Sequence, residues 1–104
     1  MAEKQTLINR ITEEQKKITV RKCWIKGRPE EKIVNEYLKG LEYALNLLNY
    51  NNIEACVNLL AKEYVDTYDF VEAHPNEKHK RGKCSGLYFA YQLFKGENPS
   101  SLAG

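Results

Sequence analysis

The sequence lacks the features that identify membrane-spanning, secreted or disulfide-rich proteins. It contains no uninterrupted apolar run of roughly 18 residues, the length that a transmembrane helix needs, and no basic-then-apolar leader of the kind that directs secretion. We therefore expect no membrane partner and a cytoplasmic location. Cys23, Cys56 and Cys84 are odd in number and widely spaced, which argues against a disulfide framework and favours reduced thiols.

Motifs that usually carry catalysis are also missing. The chain has no glycine-rich phosphate loop, no nucleophile elbow and no paired-carboxylate site. One weak arrangement remains: Cys84 lies beside Lys83 and near an expected helix N-terminus, two conditions that lower the pKa of a thiol, and His79 could act as its base. Adjacency in sequence does not establish that geometry, so we expect that the protein is not an enzyme and needs no cofactor.

Metal binding has a similarly thin basis. His74, His79 and Cys84 are ligand types, and Cys23 or Cys56 could complete a set of four around zinc. The sequence has no CxxC or HxxxH pair, whereas structural zinc ligands usually come in pairs about two to four residues apart. We therefore expect no metal site.

The composition is that of a folded chain. With 104 residues, 42% of them hydrophobic and 29% charged, the sequence is long enough to form one core. It predicts a single helical domain over residues 1–96, followed by a flexible tail over residues 97–104. The 12 lysines against 4 arginines, together with many Asn, Ile and Tyr, indicate an AT-rich coding sequence, as in many low-GC bacteria and their phages.

Charge is distributed along the chain in three blocks. Residues 1–35 have 9 basic and 5 acidic side chains, residues 36–77 have 2 and 8, and residues 78–104 have 5 and 1. The blocks alternate in sign although the net charge is only +2. This pattern favours self-association or docking on a charged partner, unless the charges only solvate the outer faces of helices.

The clearest elements are two helices over about residues 29–50 and 52–73. Pro29 suits a first helical position, acidic residues that complement the helix dipole follow it, and apolar residues recur every three or four positions in both segments. Asn51 with Glu54 resembles a capping box at the start of the second helix. The short Asn-rich connection predicts that the two helices form an antiparallel hairpin.

The rest of the chain leaves an alternative open. Beyond a polar loop, Ser85 is expected to cap a short C-terminal helix that ends near Gly96. Residues 17–26 and 86–94 also alternate apolar with polar residues, so an α+β fold with a small two-stranded sheet built from these segments stays open. In either fold Trp24, the sole tryptophan, is expected to anchor its segment to the core.

Charge and side-chain type single out three candidate partner-binding surfaces. The first is a basic loop formed by Lys78, His79, Lys80, Arg81 and Lys83. The second is the acidic face of the second helix, formed by Glu54, Glu63, Asp66, Asp69 and Glu72. The third lies beside the main apolar stripe of the first helix and predicts the interface of a homo-oligomer; its members are Ile33, Gly40, Tyr43, Leu47 and Tyr50.

Two functions fit these surfaces. We favour a small non-enzymatic regulatory or inhibitor-type protein that acts through a protein partner, because seven tyrosines and alternating charge blocks suit a protein interface. The AT-rich composition agrees with a phage or mobile-element origin. The alternative is nucleic-acid binding through the basic loop 78–83 and a basic strip over residues 16–28, with Tyr88 or Trp24 stacking on bases. The strip consists of Lys16, Lys17, Arg21, Lys22, Lys26 and Arg28.

Overall fold

Every regular element that the computed structural model describes, over residues 3–102, is helical. The elements are α1 (Lys4–Lys22), α2 (Glu30–Tyr50), α3 (Ile53–Ala73), a 3-10 helix (Pro75–Lys80) and α4 (Arg81–Phe94). The prediction of a mainly helical protein is confirmed. The alternative with a two-stranded sheet is wrong, because residues 86–94 belong to α4 and residues 17–26 form the end of α1 and the turn after it.

α1 is one continuous helix although its second half is rich in β-branched residues. Leu7, Ile11 and Ile18 recur at helical spacing and are buried in the core. Burial of that stripe outweighs the weak strand propensity of the segment. Val20 faces solvent, so the apolar alternation that suggested a strand does not correspond to a buried face.

The connection between α2 and α3 is as short as predicted, but its cap differs by one residue. The Asn52 side chain, rather than that of Asn51, accepts a hydrogen bond from the Ala55 N–H (2.7 Å) and caps α3. Asn51 instead ends α2, where its side chain donates to the Leu47 carbonyl (3.0 Å). Two adjacent asparagines thus satisfy backbone groups of two different helices.

α4 begins at Arg81, earlier than the predicted cap Ser85, because the 3-10 helix Pro75–Lys80 runs directly into it. Its other end agrees with the prediction. Gly96, at φ +88°, donates its N–H to the Leu93 carbonyl (3.1 Å), and the N–H of Glu97 reaches the Gln92 carbonyl (2.9 Å). This pair of bonds is a Schellman motif, which needs a residue in the left-handed region and therefore favours glycine.

The closest helix packing in the molecule is between α2 and α4, where three glycines let the backbones approach. Gly82 lies against the Ile33 carbonyl, and Gly86 lies against the Tyr37 carbonyl and Gly40. A Cβ atom at Gly40 would lie 2.6 Å from the Lys83 carbonyl oxygen, closer than side chains allow. Since both helices advance in the same direction along this contact, α2 and α4 run parallel.

α4 also packs against α3, so it is the central helix of the domain. Tyr64 of α3 contacts Tyr88, while Glu63 and Glu72 reach Lys83 and Arg81 near the start of α4, which makes α3 and α4 antiparallel. α2 and α3 are consecutive antiparallel helices, but they touch each other less than either touches α4. The core of the hairpin is therefore completed by α4.

The C-terminal residues fold back onto α1. The buried carboxylate of Glu14 accepts hydrogen bonds from the Tyr37 hydroxyl (2.7 Å), the Ser101 hydroxyl (2.6 Å) and the Leu102 N–H (3.0 Å). Ser101 and Leu102, which belong to the segment predicted as a flexible tail, thus contact α1 because they satisfy a buried carboxylate. Asn98 also accepts a hydrogen bond from Arg10 of α1 (2.9 Å). Residues 1–2 of the predicted domain and residues 103–104 of the predicted tail lie outside the described residues.

Trp24 does not anchor its segment, contrary to the prediction. Its side chain is 81% exposed, whereas the neighbouring Ile25 packs against the core. The turn after α1 is held by backbone hydrogen bonds, including Trp24 N–H to the Arg21 carbonyl (3.0 Å). The chain therefore directs its largest side chain into solvent.

Replacing Gly86 by alanine tests the α2–α4 contact. Alanine favours helix by about 1 kcal/mol over glycine, but its Cβ would collide with the Tyr37 carbonyl oxygen. We expect a net loss of about 1–3 kcal/mol in unfolding free energy, measured by denaturant titration. Ser85→Ala, at the exposed neighbouring position of the same helix, should change stability little. Equal stability of the two variants would contradict the tight contact.

The pH dependence of stability tests the Tyr37–Glu14 bond. Burial, followed by the hydrogen bond and negative charge of Glu14, raises the pKa of Tyr37 well above its usual 10.0. A tyrosine that loses its proton more readily when unfolded stabilises the fold fully below pH 10 and progressively less above it, by up to about 1.4 kcal/mol per pH unit. Unfolding experiments at alkaline pH should show that the unfolding free energy of Tyr37→Phe falls less steeply with rising pH than that of the parent protein. Tyr50→Phe, at an exposed tyrosine, should retain the parent slope.

Candidate functional site

A charged groove with a volume of about 550 Å³ opens between α2 and α3, next to the start of α4. It combines members of all three predicted surfaces: Tyr43 on α2, Glu63 and Asp66 on α3, Lys80 at the end of the 3-10 helix and Lys83 in α4. Phe70, which no predicted surface included, also lines it. The acidic face and the basic loop, predicted as separate partner surfaces, therefore meet inside one molecule.

The central contact of the groove is an ion pair between Lys83 and Glu63. The Lys83 Nζ lies 2.7 Å from a Glu63 carboxylate oxygen, and both side chains are mostly shielded from solvent. The same ammonium lies 5.8 Å from the centroid of the Tyr43 ring. Burial and, less strongly, the charges of Glu63 and Asp66 raise the pKa of Tyr43, while Lys83 lowers it. Tyr43 is thus held as a neutral phenol.

The other residues of the predicted basic loop also contact neighbouring side chains, with the exception of Lys78. Lys80 lies over the Phe70 ring (4.6 Å to the centroid), and Arg81 pairs with Glu72 (3.5 Å). His79 contacts Glu77 (3.3 Å), whereas Lys78 is exposed and forms no ion pair within residues 3–102. These residues belong to the 3-10 helix and to α4 rather than to a loop, and Gly82 among them is buried and helical.

The remaining members of the predicted acidic face are separated from the groove. Asp69 is exposed on α3, and Glu54 lies at the start of the helix, beside Lys4 and the end of α4. The face is therefore divided: Glu63 and Asp66 line the groove, Glu72 pairs with Arg81 of α4, and Glu54 and Asp69 lie apart.

The predicted oligomer line is interrupted by the packing of α4. Gly40 is buried beneath α4, and Leu47 packs in part against the core. Tyr43 lines the groove, while Ile33 and Tyr50 are exposed. The five residues do not form one exposed surface, because the neighbourhood of Gly40 serves the α2–α4 contact.

The surroundings of Cys84 and His74 support neither catalysis nor metal binding. Cys84 is buried, and burial raises its pKa although Lys83 and Arg81 act in the opposite direction, so the expected lowering of the pKa is wrong. His74 stacks on Phe70 (4.1 Å between ring centroids) and bonds the Phe70 carbonyl (2.8 Å). Among residues 3–102 no three His, Cys, Asp or Glu side chains gather as metal ligands.

A surface that the sequence analysis missed lies on the other side of α3. Four tyrosines of α3 and α4 form a row of ring contacts there, with centroid distances of 6.3 Å for Tyr64–Tyr68, 6.1 Å for Tyr64–Tyr88 and 6.4 Å for Tyr88–Tyr91. Together with Val65 they form what we call the tyrosine patch. Tyr68, Tyr88 and Val65 are each about half exposed.

The tyrosine patch encloses a mainly apolar pocket of about 340 Å³, lined by Ala61, Tyr64, Val65, Tyr88 and Tyr91. Tyr91 receives a long hydrogen bond from Lys95 (3.5 Å), which also lies over its ring (5.3 Å). The spacing of Ala61, Tyr64, Val65 and Tyr68 by three and four residues could have revealed a second helical stripe. Tyr88 and Tyr91 complete it only because α3 and α4 are antiparallel neighbours.

A third surface, which we call the α1 surface, surrounds the exposed Trp24. Val20 lies about one turn before it and Lys16 about two turns before it, both on the solvent side of α1, and Val20 is 64% exposed. Lys26 and Arg28 follow in the exposed turn. All members of the predicted basic strip except the partly buried Lys22 are thus exposed.

Comparison with known proteins adds no relative: no family model, curated protein or solved structure matches the chain. Over the part of the chain that the structure describes, none of the helices is both long and apolar enough to cross a bilayer.

The ion pair of the groove predicts that two lysines of the predicted basic loop differ in their contribution to stability. Lys83→Ala removes a shielded cation and leaves the Glu63 carboxylate unpaired, so we expect a loss of about 1–2 kcal/mol in unfolding free energy. Lys78→Ala, at an exposed position with no ion pair in the described chain, should cost less than about 0.5 kcal/mol. Denaturant titration of both variants measures this difference, and equal costs would show that the pair is not a structural contact.

Proposed function

We propose that this chain is a small non-enzymatic regulatory protein that binds a protein partner through the tyrosine patch. The observation that supports this most directly is the contiguous row of Tyr64, Tyr68, Tyr88 and Tyr91, open to solvent along two packed helices. Single exposed aromatic residues are common on protein surfaces, but contiguous apolar patches mark interaction sites.

Tyrosine has the properties that a docking surface needs. Its ring supplies a large contact area, only a little side-chain entropy is lost when it is fixed, and its hydroxyl can bond a partner. In this patch the rings already support one another by stacking, so Tyr88 is partly ordered before a partner arrives. Such preorganisation lowers the entropic cost of association.

The occupant that we propose is an apolar side chain, or two neighbouring ones, of a protein partner. The pocket of about 340 Å³ is open and walled by apolar ring faces, which suits an inserted anchor residue. Polar groups border it at both ends: Glu72, paired with Arg81, follows Tyr68 by one turn, and Lys95 follows Tyr91 by one turn. An apolar centre with a polar rim is the usual arrangement of a protein interface.

The proposal includes a regulatory role of the inhibitor or adaptor type, in the cytoplasm, exerted by binding alone. Cys84, the one nucleophile that the sequence suggested, is buried with a raised pKa and so does not support the catalytic hypothesis. The charged groove lies on the opposite side of α3 and provides a second, polar surface that a large partner could contact at the same time.

The experiment selects ligands with a displayed library of random peptides and compares their affinities for three forms of the protein. Peptides with an apolar anchor should bind the parent protein and bind Tyr88→Ala roughly 30-fold more weakly, as expected for a hot-spot residue. Tyr50→Ala, which removes a tyrosine that is 87% exposed outside the patch, should bind as the parent does.

Two results would contradict this proposal. Selected peptides that bind Tyr88→Ala and the parent protein equally would place the binding site elsewhere. Sedimentation that shows a dimer of the parent protein, lost in Tyr88→Ala, would identify a second copy of the chain as the occupant instead of a different protein.

A further inference from the structure

The α1 surface combines an exposed aromatic ring with a local excess of positive charge. Residues 16–28 contain six basic and no acidic side chains. Lys17 pairs with Glu13 (3.5 Å), and cations in the last turn of α1 complement the helix dipole. Lys16, Lys26 and Arg28 are exposed and form no ion pair within residues 3–102.

The turn after α1 positions Trp24 without burying it. Ile25 packs against the core on one side of the turn, and the N–H of Gly27, at φ +84°, bonds the Glu31 carboxylate (3.3 Å) on the other. The indole therefore projects from a fixed backbone, and 81% of its surface is open. A single exposed aromatic residue is common, but here the open ring face lies in a segment whose six charged side chains are all basic, so stacking and charge attraction can act on one ligand.

From these observations we propose that the α1 surface binds single-stranded nucleic acid, with Trp24 stacked on a base and Lys16, Lys26 and Arg28 on the neighbouring phosphates. Aromatic stacking accepts any base, and lysine and arginine neutralise the backbone. The site is separate from the tyrosine patch and does not depend on it. Since neither contact reads the 2′-hydroxyl, DNA and RNA should bind alike.

Two other polyanions fit the surface less well. A helix that lies on a membrane inserts an extended apolar face, whereas the apolar face of α1 is buried in the domain and only Val20 and Trp24 remain outside. Duplex nucleic acid offers phosphates, but its bases are already paired and stacked on one another. An indole gains a stacking partner only on a strand whose bases are free.

The test uses a short oligothymidylate and the matching oligouridylate at low salt. Because Trp24 is the sole tryptophan, quenching of the protein's indole emission reports stacking directly. Anisotropy of a labelled oligonucleotide gives the affinity of variants that lack the indole. We expect Trp24→Ala to bind about ten-fold more weakly and to retain its helical circular dichroism, because the side chain is outside the core.

Charge variants distinguish a local site from general attraction. Replacing Lys16, Lys26 and Arg28 together by glutamine should make the slope of log K against log salt shallower by about two, since each single-strand phosphate contact contributes about 0.7. The matched control replaces Lys62, Lys78 and Lys95, which are exposed elsewhere on the domain, and should leave that slope nearly unchanged.

Four results would overturn the proposal. They are absence of binding to either oligonucleotide at low salt, unchanged affinity of Trp24→Ala, an equal loss in the two charge variants, and tighter binding to a duplex or to anionic lipid vesicles than to the single strands. Indole quenching together with selective loss in Trp24→Ala and in the α1-surface charge variant would support it.

Discussion

The close approach of α2 and α4 at Gly40, Gly82 and Gly86 is the constraint on which the rest of the structure depends. Without side chains between them, the two backbones come close enough for helical carbonyls to lie against the opposing glycines. This contact places α4 between α2 and α3 and makes it the central element. It also explains why Gly40 cannot belong to an exposed interface and why Gly82 is not a loop residue.

The position of α4 decides which charged side chains become neighbours. Lys83 and Arg81, at the start of α4, lie opposite Glu63 and Glu72 because α3 runs antiparallel to α4. Two acidic side chains of the middle block are therefore paired with basic side chains of the C-terminal block inside the fold. Lys26 and Arg28, in the turn after α1, are exposed and form no ion pair within residues 3–102, so their charge remains on the surface. The only acidic contact of this turn that the described residues show is the bond from the Gly27 N–H to the Glu31 carboxylate.

The two surfaces that we propose as binding sites use different physical properties. The tyrosine patch is a shaped apolar pocket with a polar rim, which suits a protein side chain. The α1 surface is a single exposed indole among cations, which suits a strand of phosphates and free bases. They lie on different helices, so a protein and a nucleic-acid strand would not compete for the same residues.

The sequence by itself determined the extent of α2 and α3 and the C-terminal cap at Gly96, and it favoured the helical class over an α+β alternative. Each of these depends on local properties: the three-and-four spacing of apolar residues, proline and acidic residues at a helix start, and the need for a left-handed residue at a helix end. The Asn52 cap was missed by one position because Asn51 and Asn52 are equally suited to it by residue type.

Only the tertiary structure decided which side chains meet. Trp24 and Ile25 are adjacent and both apolar, yet the packing of the turn buries part of Ile25 and exposes Trp24. Tyr64 and Tyr88 become neighbours through the antiparallel packing of helices that are distant in sequence. Glu14 lies on an apolar stripe, and its burial is satisfied by Tyr37, Ser101 and Leu102, which no local pattern connects to it. Spacing along a helix fixes the direction of a side chain, but its neighbours are set by the glycine contact that orders the helices around α4.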